Sequence, residues 1–435
     1  MGGIMNYSLK GTPAHGLWGA TLGFFIGFAA VSLFGPTANR IKNVMDLSPF
    51  LVGILVAIPA LTGSLLRTPF AAWVDTTGGR KPFLVLLALS IIGMSGLMSI
   101  IMIYYPDNMT AGLYPLLLFF GALCGCGIAT FSVGIGQVSY WFPQKKQGSA
   151  LGTFAGIGNM APGLFAYLLP VALTGLGLAG SYMAWLIFLI AGTFVYYGMG
   201  RNAWFFQFRL QGATAEDAKK LAQQKGQELF PKGNLIQSLS TSAKIWKTWV
   251  LVAIYFATFG GFIALTAWFP TYWSSFFKVS AVTAGLLTSV YSVLASVIRV
   301  FGGKISDKLG GERTTLLAIS TMIIGAILLT LSSNFILSVA AEIILAIGMG
   351  VGNASVFKLV PQEVPQAVGG AAGWVGGLGA FGGFVIPPIM GYYVRAMGEQ
   401  GYSRGFTVFI VLSVLSLGLA FILKKTHKNP SPTPK

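Results

Sequence analysis

Two arginines lie inside apolar stretches of the chain that are long enough to cross a membrane. Arg67 stands eight residues before Asp75, and Arg299 stands eight residues before Asp307. Because a helix rises about 1.5 Å per residue, each guanidinium would lie roughly 12 Å from the polar end of its segment. An arginine at the centre of a bilayer costs at least about 2.5 kcal/mol, so such residues usually face the protein interior and serve its function.

Guanidinium groups at this depth favour the binding of an anion. The group is planar and permanently charged, and it donates two parallel hydrogen bonds to an oxyanion. Two such groups suit a small planar monovalent anion better than two lysines would. Aromatic rings above and below the anion would exclude water and strengthen both contacts.

The surroundings of the two arginines form an internal repeat. A set of three residues recurs at one constant offset along the chain, as Arg67, Asp75 and Gly79 and then as Arg299, Asp307 and Gly311. Two similar halves that each contribute one arginine at the same depth predict that the pair meets across a pseudo-twofold axis.

The elements that position this pair are predicted to be membrane helices. The 435-residue chain is 54% hydrophobic and 9% charged, with a mean hydropathy of +0.74, which is typical of polytopic membrane proteins. Apolar runs of spanning length lie near 17–39, 48–73, 83–105, 113–140, 149–172, 181–200, 249–270, 281–303, 314–333, 335–357, 369–394 and 405–423. We therefore predict an all-α polytopic membrane protein with 12 transmembrane helices in two pseudo-symmetric six-helix bundles.

The chain divides into four predicted parts. An N-terminal bundle at 1–200 is followed by a cytoplasmic linker at 201–247, a C-terminal bundle at 248–424 and a cytoplasmic tail at 425–435. In the linker, Thr214 would cap a short helix that is solvated or lies on the membrane surface. Because six spans return the chain to the side where it began, the two bundles run in parallel.

The basic residues are distributed very unevenly between the two sides. Of 28 lysines and arginines, 21 fall in cytoplasmic segments when the N-terminus is placed inside, and two are the buried arginines. The formal net charge of +17 therefore reflects the positive-inside bias, which places both termini in the cytoplasm and gives no reason to expect nucleic acid. The five that remain outside are Arg40, Lys42, Lys278, Arg395 and Arg404.

A second repeat consists of glycines. Glycines spaced by four residues on one helix face let another helix approach closely, which is usual in membranes. The same surface could instead slide or open during transport, and the two interpretations are compatible. The glycines match at a single offset of their own, with Gly152, Gly156 and Gly158 corresponding to Gly373, Gly377 and Gly379.

The sequence gives no sign of a catalytic, metal or cofactor site. Cys124 and Cys126 are too close for an ordinary disulfide and too few for a metal cage. His15 and His427 lie in the terminal segments, and the glycine runs open no nucleotide-binding strand-turn-helix unit. We expect no enzyme activity, no metal and no cofactor.

The chain resembles the nitrate/nitrite porter (NarK-type) family of the major facilitator superfamily over nearly its whole length. GTFAGIGNMAPG and GGLGAFGGFVIP are similar to that family's two nitrate-signature motifs, while LLRTPF and IRVFGG resemble the surroundings of its two substrate arginines. DTTGGRKP from Asp75 and DKLGGER from Asp307 resemble the superfamily's gating-loop motif. The resemblance implies the major facilitator fold, with Arg67 and Arg299 clamping the anion.

The resemblance also implies further residues around the substrate. Tyr255 would hydrogen-bond it, Phe259 would lie near it, Phe131 would cover it from the fourth helix, and Asn159 would lie beside it. The family aromatic of the first helix has no clean match. Ungapped counting reaches Gly27, so either neighbour, Phe24 or Phe28, is a candidate.

Several transport mechanisms are compatible with these residues. Two fixed positive charges without a paired acid should repel each other and resist closure, and an anion removes that penalty. The halves would then rock only with substrate aboard, which favours nitrate/nitrite antiport. Glu342 is the one acid inside a predicted span, so it is either a proton site for nitrate/proton symport or an interfacial residue in contact with water. Transport of another small monovalent anion and a passive anion channel are further alternatives.

On this interpretation, the partners are nitrate and nitrite as substrates and the lipid bilayer. The resemblance places the protein in a prokaryotic cytoplasmic membrane, and we expect a monomer.

Overall fold

The computed structural model describes residues 7–231 and 235–426, which are predominantly helical and include no strand. Within these ranges, 11 helical stretches are long and apolar enough to cross a membrane. The longest, Ser149–Met199, is interrupted at Gly177, whose φ of 64° divides it into two spans. The prediction of an all-α protein with 12 spans is confirmed.

We number the spans 1 to 12 in chain order. Spans 1 to 6 are Pro13–Met45, Pro49–Thr77, Arg80–Tyr104, Ala111–Trp141 and the two parts of Ser149–Met199. Spans 7 to 12 are Trp246–Phe276, Ala281–Leu309, Gly311–Leu331, Phe335–Glu363, Pro365–Arg404 and Thr407–Thr426. The first six spans form one half of the molecule and the last six form the other.

Capping residues fix where several spans begin. The Ser48 hydroxyl accepts a hydrogen bond from the Leu51 amide at the start of span 2, with Pro49 as the first helical residue. Ser280 and Asn334 cap spans 8 and 10 in the same way. Each side chain satisfies one of the amide groups that a helix leaves unpaired at its N-terminus.

Equivalent glycines end spans 2 and 8. Gly78 has φ 77° and Gly310 has φ 87°, a region that glycine adopts without steric cost. The two glycines are as far apart in the sequence as Arg67 and Arg299 are. The internal repeat therefore has a counterpart in the backbone.

The two halves meet in close contacts between helix backbones. A Cβ added to Gly53 of span 2 would lie 2.5 Å from the Pro387 carbonyl oxygen of span 11. A Cβ on Gly285 of span 8 would lie 2.2 Å from the Ala166 carbonyl oxygen of span 5. Glycine is therefore required where span 2 crosses span 11 and where span 5 crosses span 8.

The linker contains the helices Trp204–Leu210, Ala215–Gln224 and Leu235–Ala243. Thr214 caps the second of them by accepting from the Asp217 amide at 3.1 Å, as predicted. That helix is more than a solvated segment, because its buried Ala218 and Ala222 pack in one cluster with Phe208. Of the predicted tail, residues 427–435 lie outside the described part of the chain.

Candidate functional site

The two arginines converge on one pair of phenylalanine rings. Arg67 Cζ lies 4.9 Å from the ring centre of Phe131 and 5.1 Å from that of Phe259. Arg299 Cζ lies 5.7 Å and 5.4 Å from the same two centres. The rings are 6.1 Å apart and 30° from parallel. Each half of the molecule contributes one arginine and one ring, so the cluster lies on the boundary between the halves.

Both arginines donate their hydrogen bonds to neutral groups. Arg67 is buried; its Nε donates to the Gly63 carbonyl at 3.2 Å, and its Nη1 donates to the Gly376 carbonyl at 3.0 Å. Arg299 is half-buried, and its Nη2 lies 3.4 Å from the Tyr255 hydroxyl. None of the three ion pairs among the described residues includes either arginine. Both positive charges are therefore uncompensated by a carboxylate.

Some donors of the cluster have no hydrogen-bond partner in the part of the chain that the structure describes. Among the described side chains, Arg67 Nη2 and Arg299 Nη1 are buried and make no hydrogen bond. An unpaired buried donor normally costs about 1–3 kcal/mol, and more when it is charged. Two such donors beside the same rings are suited to an anion that accepts from both.

Further aromatic rings surround the central pair. Tyr255 stacks on Phe259 with ring centres 5.0 Å apart, and Phe28 lies parallel to Phe259 at 6.3 Å. Phe24 packs on Phe131 at 5.2 Å. Both first-helix candidates thus lie in the cluster, whereas Gly27 packs against the backbone of span 4, where a Cβ would lie 2.4 Å from the Gly127 carbonyl oxygen.

Asn159 is buried beside span 8. Its backbone carbonyl accepts a hydrogen bond from the Ser296 hydroxyl at 3.0 Å, one turn before Arg299. Its side-chain Oδ1 has no partner among the described residues. The asparagine therefore links the two halves next to the arginine, and its amide is available for another contact.

Six of the helices that form or border the arginine cluster have an irregular backbone where they pass it. A break in the helix leaves backbone carbonyls without helical partners and changes the direction of the side chains next to it. The Gly376 carbonyl that accepts from Arg67 lies in the last helical turn before such a break. The irregular positions are the 3-10 turn Ala29–Ser32 in span 1, Leu66 in span 2, the 3-10 turn Cys126–Ala129 in span 4, Met160 in span 5, the π-helical turn Phe256–Gly260 in span 7 and residues 379–381 in span 11.

The repeated glycines contact equivalent elements of the two halves. A Cβ on Gly158 would lie 1.9 Å from a ring carbon of Phe24, and one on Gly379 would lie 2.9 Å from Cβ of Tyr255. The next pair faces the arginine helices. A Cβ on Gly156 would lie 3.2 Å from Val300, which follows Arg299, and one on Gly377 would lie 2.8 Å from Thr68, which follows Arg67.

The third pair of glycines is less tightly packed. A Cβ on Gly152 would have no atom within 4 Å, and one on Gly373 would lie 3.3 Å from Leu239 of the linker. Close packing therefore accounts for the glycines nearest the arginines and not for Gly152.

The two aspartates of the loop motifs have partners within their own halves. The Asp75 carboxylate accepts from the Tyr140 hydroxyl of span 4 at 2.5 Å, and Asp307 pairs with Lys358 of span 10 at 2.6 Å. Spans 4 and 10 occupy equivalent places in the two halves. Each aspartate thus joins equivalent helices, at a distance from the arginine cluster of about two helical turns.

Glu342 is remote from the arginines and is completely buried. The interpretation of this residue as an interfacial acid in contact with water is therefore wrong. Its Oε1 accepts from Trp273 Nε1 at 3.1 Å, and its Oε2 has no partner among the described residues. The rings that separate Phe259 from Trp273 are those of Phe262, Tyr291 and Phe269, in consecutive contact at 4.9–6.2 Å.

Sequence reasoning missed three residues of the cluster. Phe154 contacts both Phe24 and Phe131, and Phe357 meets Tyr255 edge to face at 5.0 Å. Thr68 donates to the Gly373 carbonyl at 3.2 Å, next to Arg67. Phe154 belongs to the glycine-rich segment GTFAGIGN, so its place in that segment could have predicted that it lies in the cluster.

Comparisons with known proteins agree with this arrangement. The profile of the Major Facilitator Superfamily matches residues 20–387. The chain is 30% identical over 436 residues to the probable nitrate/nitrite antiporter NarK1 of Thermus thermophilus, covering 94% of this chain and 91% of that protein. It is 27% identical over 413 residues to the probable nitrate transporter NarT of Staphylococcus epidermidis, covering 94% of this chain and 96% of that protein.

The fold has counterparts among solved structures. The xylose transporter XylE from E. coli, in a partially occluded inward-open conformation, superposes with a TM-score of 0.69 at 17% identity, over 96% of this chain and 100% of that chain. This likeness supports the fold alone. The superfamily consists of transporters and not enzymes. By its profile match and its relatives, the chain belongs to the Major Facilitator Superfamily, within the nitrate/nitrite porter (NarK-type) family.

Proposed function

We propose that the protein is a secondary transporter that exchanges nitrate and nitrite by alternating access. The observation that carries this proposal is the pair of buried, uncompensated guanidiniums on the rings of Phe131 and Phe259. The names of the relatives from Thermus thermophilus and Staphylococcus epidermidis support nitrate and nitrite as the anions.

In the proposed complex, the planar anion lies between the two rings and accepts from both arginines. Arg67 Nη2 and Arg299 Nη1 are the donors that would turn to it. Tyr255 holds Arg299 from the side, and Asn159 completes the polar edge of the site. The rings keep water away, which strengthens each charge-assisted hydrogen bond.

The electrostatics of the pair support exchange. Each half carries one arginine, so bringing the halves together without an anion brings two positive charges together. An anion between them turns that repulsion into attraction, and the loaded protein closes more readily than the unloaded one. A carrier of this kind changes sides with substrate aboard, and one anion moving in is exchanged for one moving out.

The repeated glycines are compatible with the proposed movement of the two halves. Gly156 and Gly377 let the two arginine helices approach the opposite half, while Gly158 and Gly379 seat Phe24 and Tyr255. Asp75 and Asp307 hold the loop ends of spans 2 and 8 within their own halves during the movement.

The proposal is tested with purified protein in liposomes. Nitrate uptake is measured with and without internal nitrite, and with and without a pH gradient, against liposomes that lack the protein. We expect internal nitrite to accelerate uptake and the pH gradient to have no effect. A passive channel would show no acceleration by substrate on the far side, and uptake of that kind would contradict the proposal.

Nitrate/proton symport is the second candidate, and the burial of Glu342 favours it. The carboxylate lies inside the second half with one oxygen unpaired, which is an unusual environment for an acid. Its separation from Phe259 by three aromatic residues argues against direct coupling to the anion. Symport through Glu342 requires that a pH gradient drive uptake and that Glu342→Gln abolish this effect. Persistence of the effect in Glu342→Gln would remove Glu342 as the proton site.

We further propose the setting in which this exchange takes place. The charge distribution supports a cytoplasmic linker between bundles at 1–200 and 248–424, with both termini in the cytoplasm of a bacterial cell. Each half provides half of one site, so a monomer suffices for transport.

A further inference from the structure

The mouth between the two halves, on the side opposite the linker, contains a second cationic cleft. Its cavity of about 480 Å³ is lined from the first half by Asn39, Lys42 and Asn43, and from the second half by Ser275, Lys278 and Glu399. Lys278 follows the end of span 7 at Phe276, which is 17 residues beyond Phe259, or about 25 Å along a helix. The cleft is therefore separate from the arginine cluster.

Polar contacts between lining residues of this cleft join the two halves. The Asn39 amide donates to the Ser274 hydroxyl at 2.8 Å and to the Ser275 hydroxyl at 3.1 Å. Asn39 belongs to the first half and both serines belong to the second. Separation of the halves at this end breaks these contacts, whereas the cleft itself is open to a solute before the halves part.

The two lysines differ in how they are held. Lys42 makes none of the three ion pairs found among the described residues. Lys42 shares one face of the helix Ala38–Met45 with Asn39 and Asn43, since residues three and four apart are neighbours on a helix. One positive charge thus faces the cleft without an ion-pair partner among the described residues.

Lys278 is held by Glu399, but weakly. The Nζ to Oε1 distance is 3.0 Å, and the two side chains are 69% and 60% exposed. Ion pairs with this exposure contribute about 0–1 kcal/mol, so another anion can replace the carboxylate. Lys278 also has a φ of 57°, a left-handed conformation that is uncommon outside glycine and is frequent at functional positions.

We propose that this cleft is an anion-binding site on the path to the arginine cluster. A small monovalent inorganic anion binds between Lys42 and Lys278 and replaces Glu399 as the partner of Lys278. It is then present at the mouth when the halves separate. This proposal rests on the proposed function in that the anion is the transported nitrate or nitrite.

The charge of the cleft is tested with a reactive thiol at Asn43. The native cysteines, Cys124 and Cys126, are buried and only 1% and 3% exposed, so Asn43→Cys provides the accessible thiol. Purified Asn43→Cys protein in detergent is treated with an anionic and a cationic methanethiosulfonate reagent of similar size. The ratio of the two reaction rates reports the local charge without any transport step.

Substitutions in the cleft should change this ratio in opposite directions. Lys42→Ala should lower the anionic-to-cationic ratio about tenfold, because one unit charge acting across roughly 6 Å of water changes the rate of each reagent about threefold, in opposite directions. Glu399→Gln should raise the ratio, because it releases Lys278. Arg40→Ala, on the same helix and outside the cleft lining, is the matched control and should change the ratio far less. A ratio unaffected by Lys42→Ala and Glu399→Gln would overturn the proposal.

Binding is tested by protection of the same thiol. Nitrate should slow the anionic reagent at Asn43→Cys, and the double substitution Lys42→Ala and Lys278→Ala should abolish the protection. Chloride is the parallel arm; equal protection by chloride and nitrate identifies a general site for monovalent anions. Stronger protection by nitrate identifies one that already selects the substrate. Absence of protection by either anion contradicts the proposal.

A final experiment disables the arginine cluster. It distinguishes failure of the proposed cleft site from failure of the proposed transport function. Protection by nitrate should persist when Arg67→Lys is added to Asn43→Cys. Loss of protection in that background would mean that it arises from the arginine cluster, and the cleft site would be rejected. Persistent protection in Asn43→Cys protein that keeps both arginines and still fails to transport nitrate would retain the cleft site and reject the proposed function.

Discussion

The guanidiniums of Arg67 and Arg299 are held in place by carbonyl and hydroxyl oxygens. Such partners fix the orientation of each group without cancelling its charge. A carboxylate at the same distance would compete with the transported anion for the same donors. The selection of neutral partners therefore leaves the net positive charge available to the substrate.

Lysine should not replace either arginine. Arg67→Lys and Arg299→Lys keep the charge but lose the planar fork, so we expect nitrate exchange in liposomes to fall to background. The melting temperature should change little, because neither residue is part of an ion pair. Arg404→Lys, at an exposed arginine outside the site, is the control. Normal exchange by either variant would show that the arginines do not bind substrate.

The Tyr255 hydroxyl has a smaller expected effect. Its contact with Arg299 Nη2 is long at 3.4 Å, and a hydrogen bond of this kind contributes about 1 kcal/mol, which corresponds to roughly a fivefold change in affinity. We expect Tyr255→Phe to raise the KM for nitrate by about this factor with an unchanged melting temperature. Tyr291→Phe, at another buried tyrosine, should leave KM unchanged. An unaltered KM in Tyr255→Phe would remove the hydroxyl from the site.

The sequence predicted these residues unevenly. The distance of each arginine from its aspartate was enough to place the pair at one depth, because that distance depends only on helical rise. The first-helix aromatics could not be assigned by counting, since the count reaches Gly27, which packs on Gly127, while Phe24 and Phe28 on either side enter the cluster. Their choice depends on the rotation of span 1, which its uniformly apolar sequence does not specify.

At the level of helices, irregular backbone accompanies the site. Span 7 has a π-helical turn at Phe256–Gly260, immediately after Tyr255 and including Phe259. Turns of this kind are frequent at functional sites because the extra residue redirects side chains. Span 8 is the exception, since it carries Arg299 on an uninterrupted helix, Ala281–Leu309.

Glycine requirements differ along the helix Gln144–Asn159. A Cβ on Gly158 would overlap the Phe24 ring, and overpacking of this kind costs about 1–3 kcal/mol, so we expect Gly158→Ala to lower both the melting temperature and nitrate exchange. Gly152→Ala is the matched control, because a Cβ there meets no atom within 4 Å. Its stability should be unchanged or slightly higher, as alanine favours helix. Equal effects of the two substitutions would contradict the role of Gly158 in seating Phe24.

The composition of the sequence predicted the positions of the helices better than it predicted their backbone geometry. Apolar length located all twelve spans, and Thr214 correctly marked the linker helix. The division between spans 5 and 6 is one glycine, Gly177, in an almost continuous helix rather than a polar loop. The 3-10 and π-helical turns were not predicted, because a helix that is apolar on every side carries no periodicity from which its rotation can be read.

The whole molecule is two halves that share one charged site and one cationic mouth. Backbone contacts between spans 2 and 11 and between spans 5 and 8 join the halves, and alternating access requires that some of these contacts exchange. The two internal repeats, one of arginines and loop residues and one of glycines, predicted the two-fold arrangement. They could not predict which side is closed, because that depends on the balance of contacts across both ends.

Fixing the mouth should stop exchange without removing the site. Asn39→Cys and Ser275→Cys replace two hydrogen-bonded side chains from opposite halves, and the native cysteines are buried. We expect oxidation of this double variant to reduce nitrate/nitrite exchange to background and reduction to restore it, because the halves can no longer part on this side. Each single-cysteine variant should be insensitive to oxidant. Undiminished exchange by the cross-linked protein would exclude opening at this mouth.

The most direct measurement of the central claim is a calorimetric titration of nitrate into purified wild-type protein, Arg67→Lys, Arg299→Lys and the double variant. The account predicts that each single change weakens binding at the tightest site by about tenfold or more, the cost of a lost charge-assisted hydrogen bond. It also predicts that the affinity for nitrate falls less in the double variant than the product of the two single losses, because one anion is held by both arginines. Unchanged affinity in either single variant, or losses that multiply independently, would contradict it.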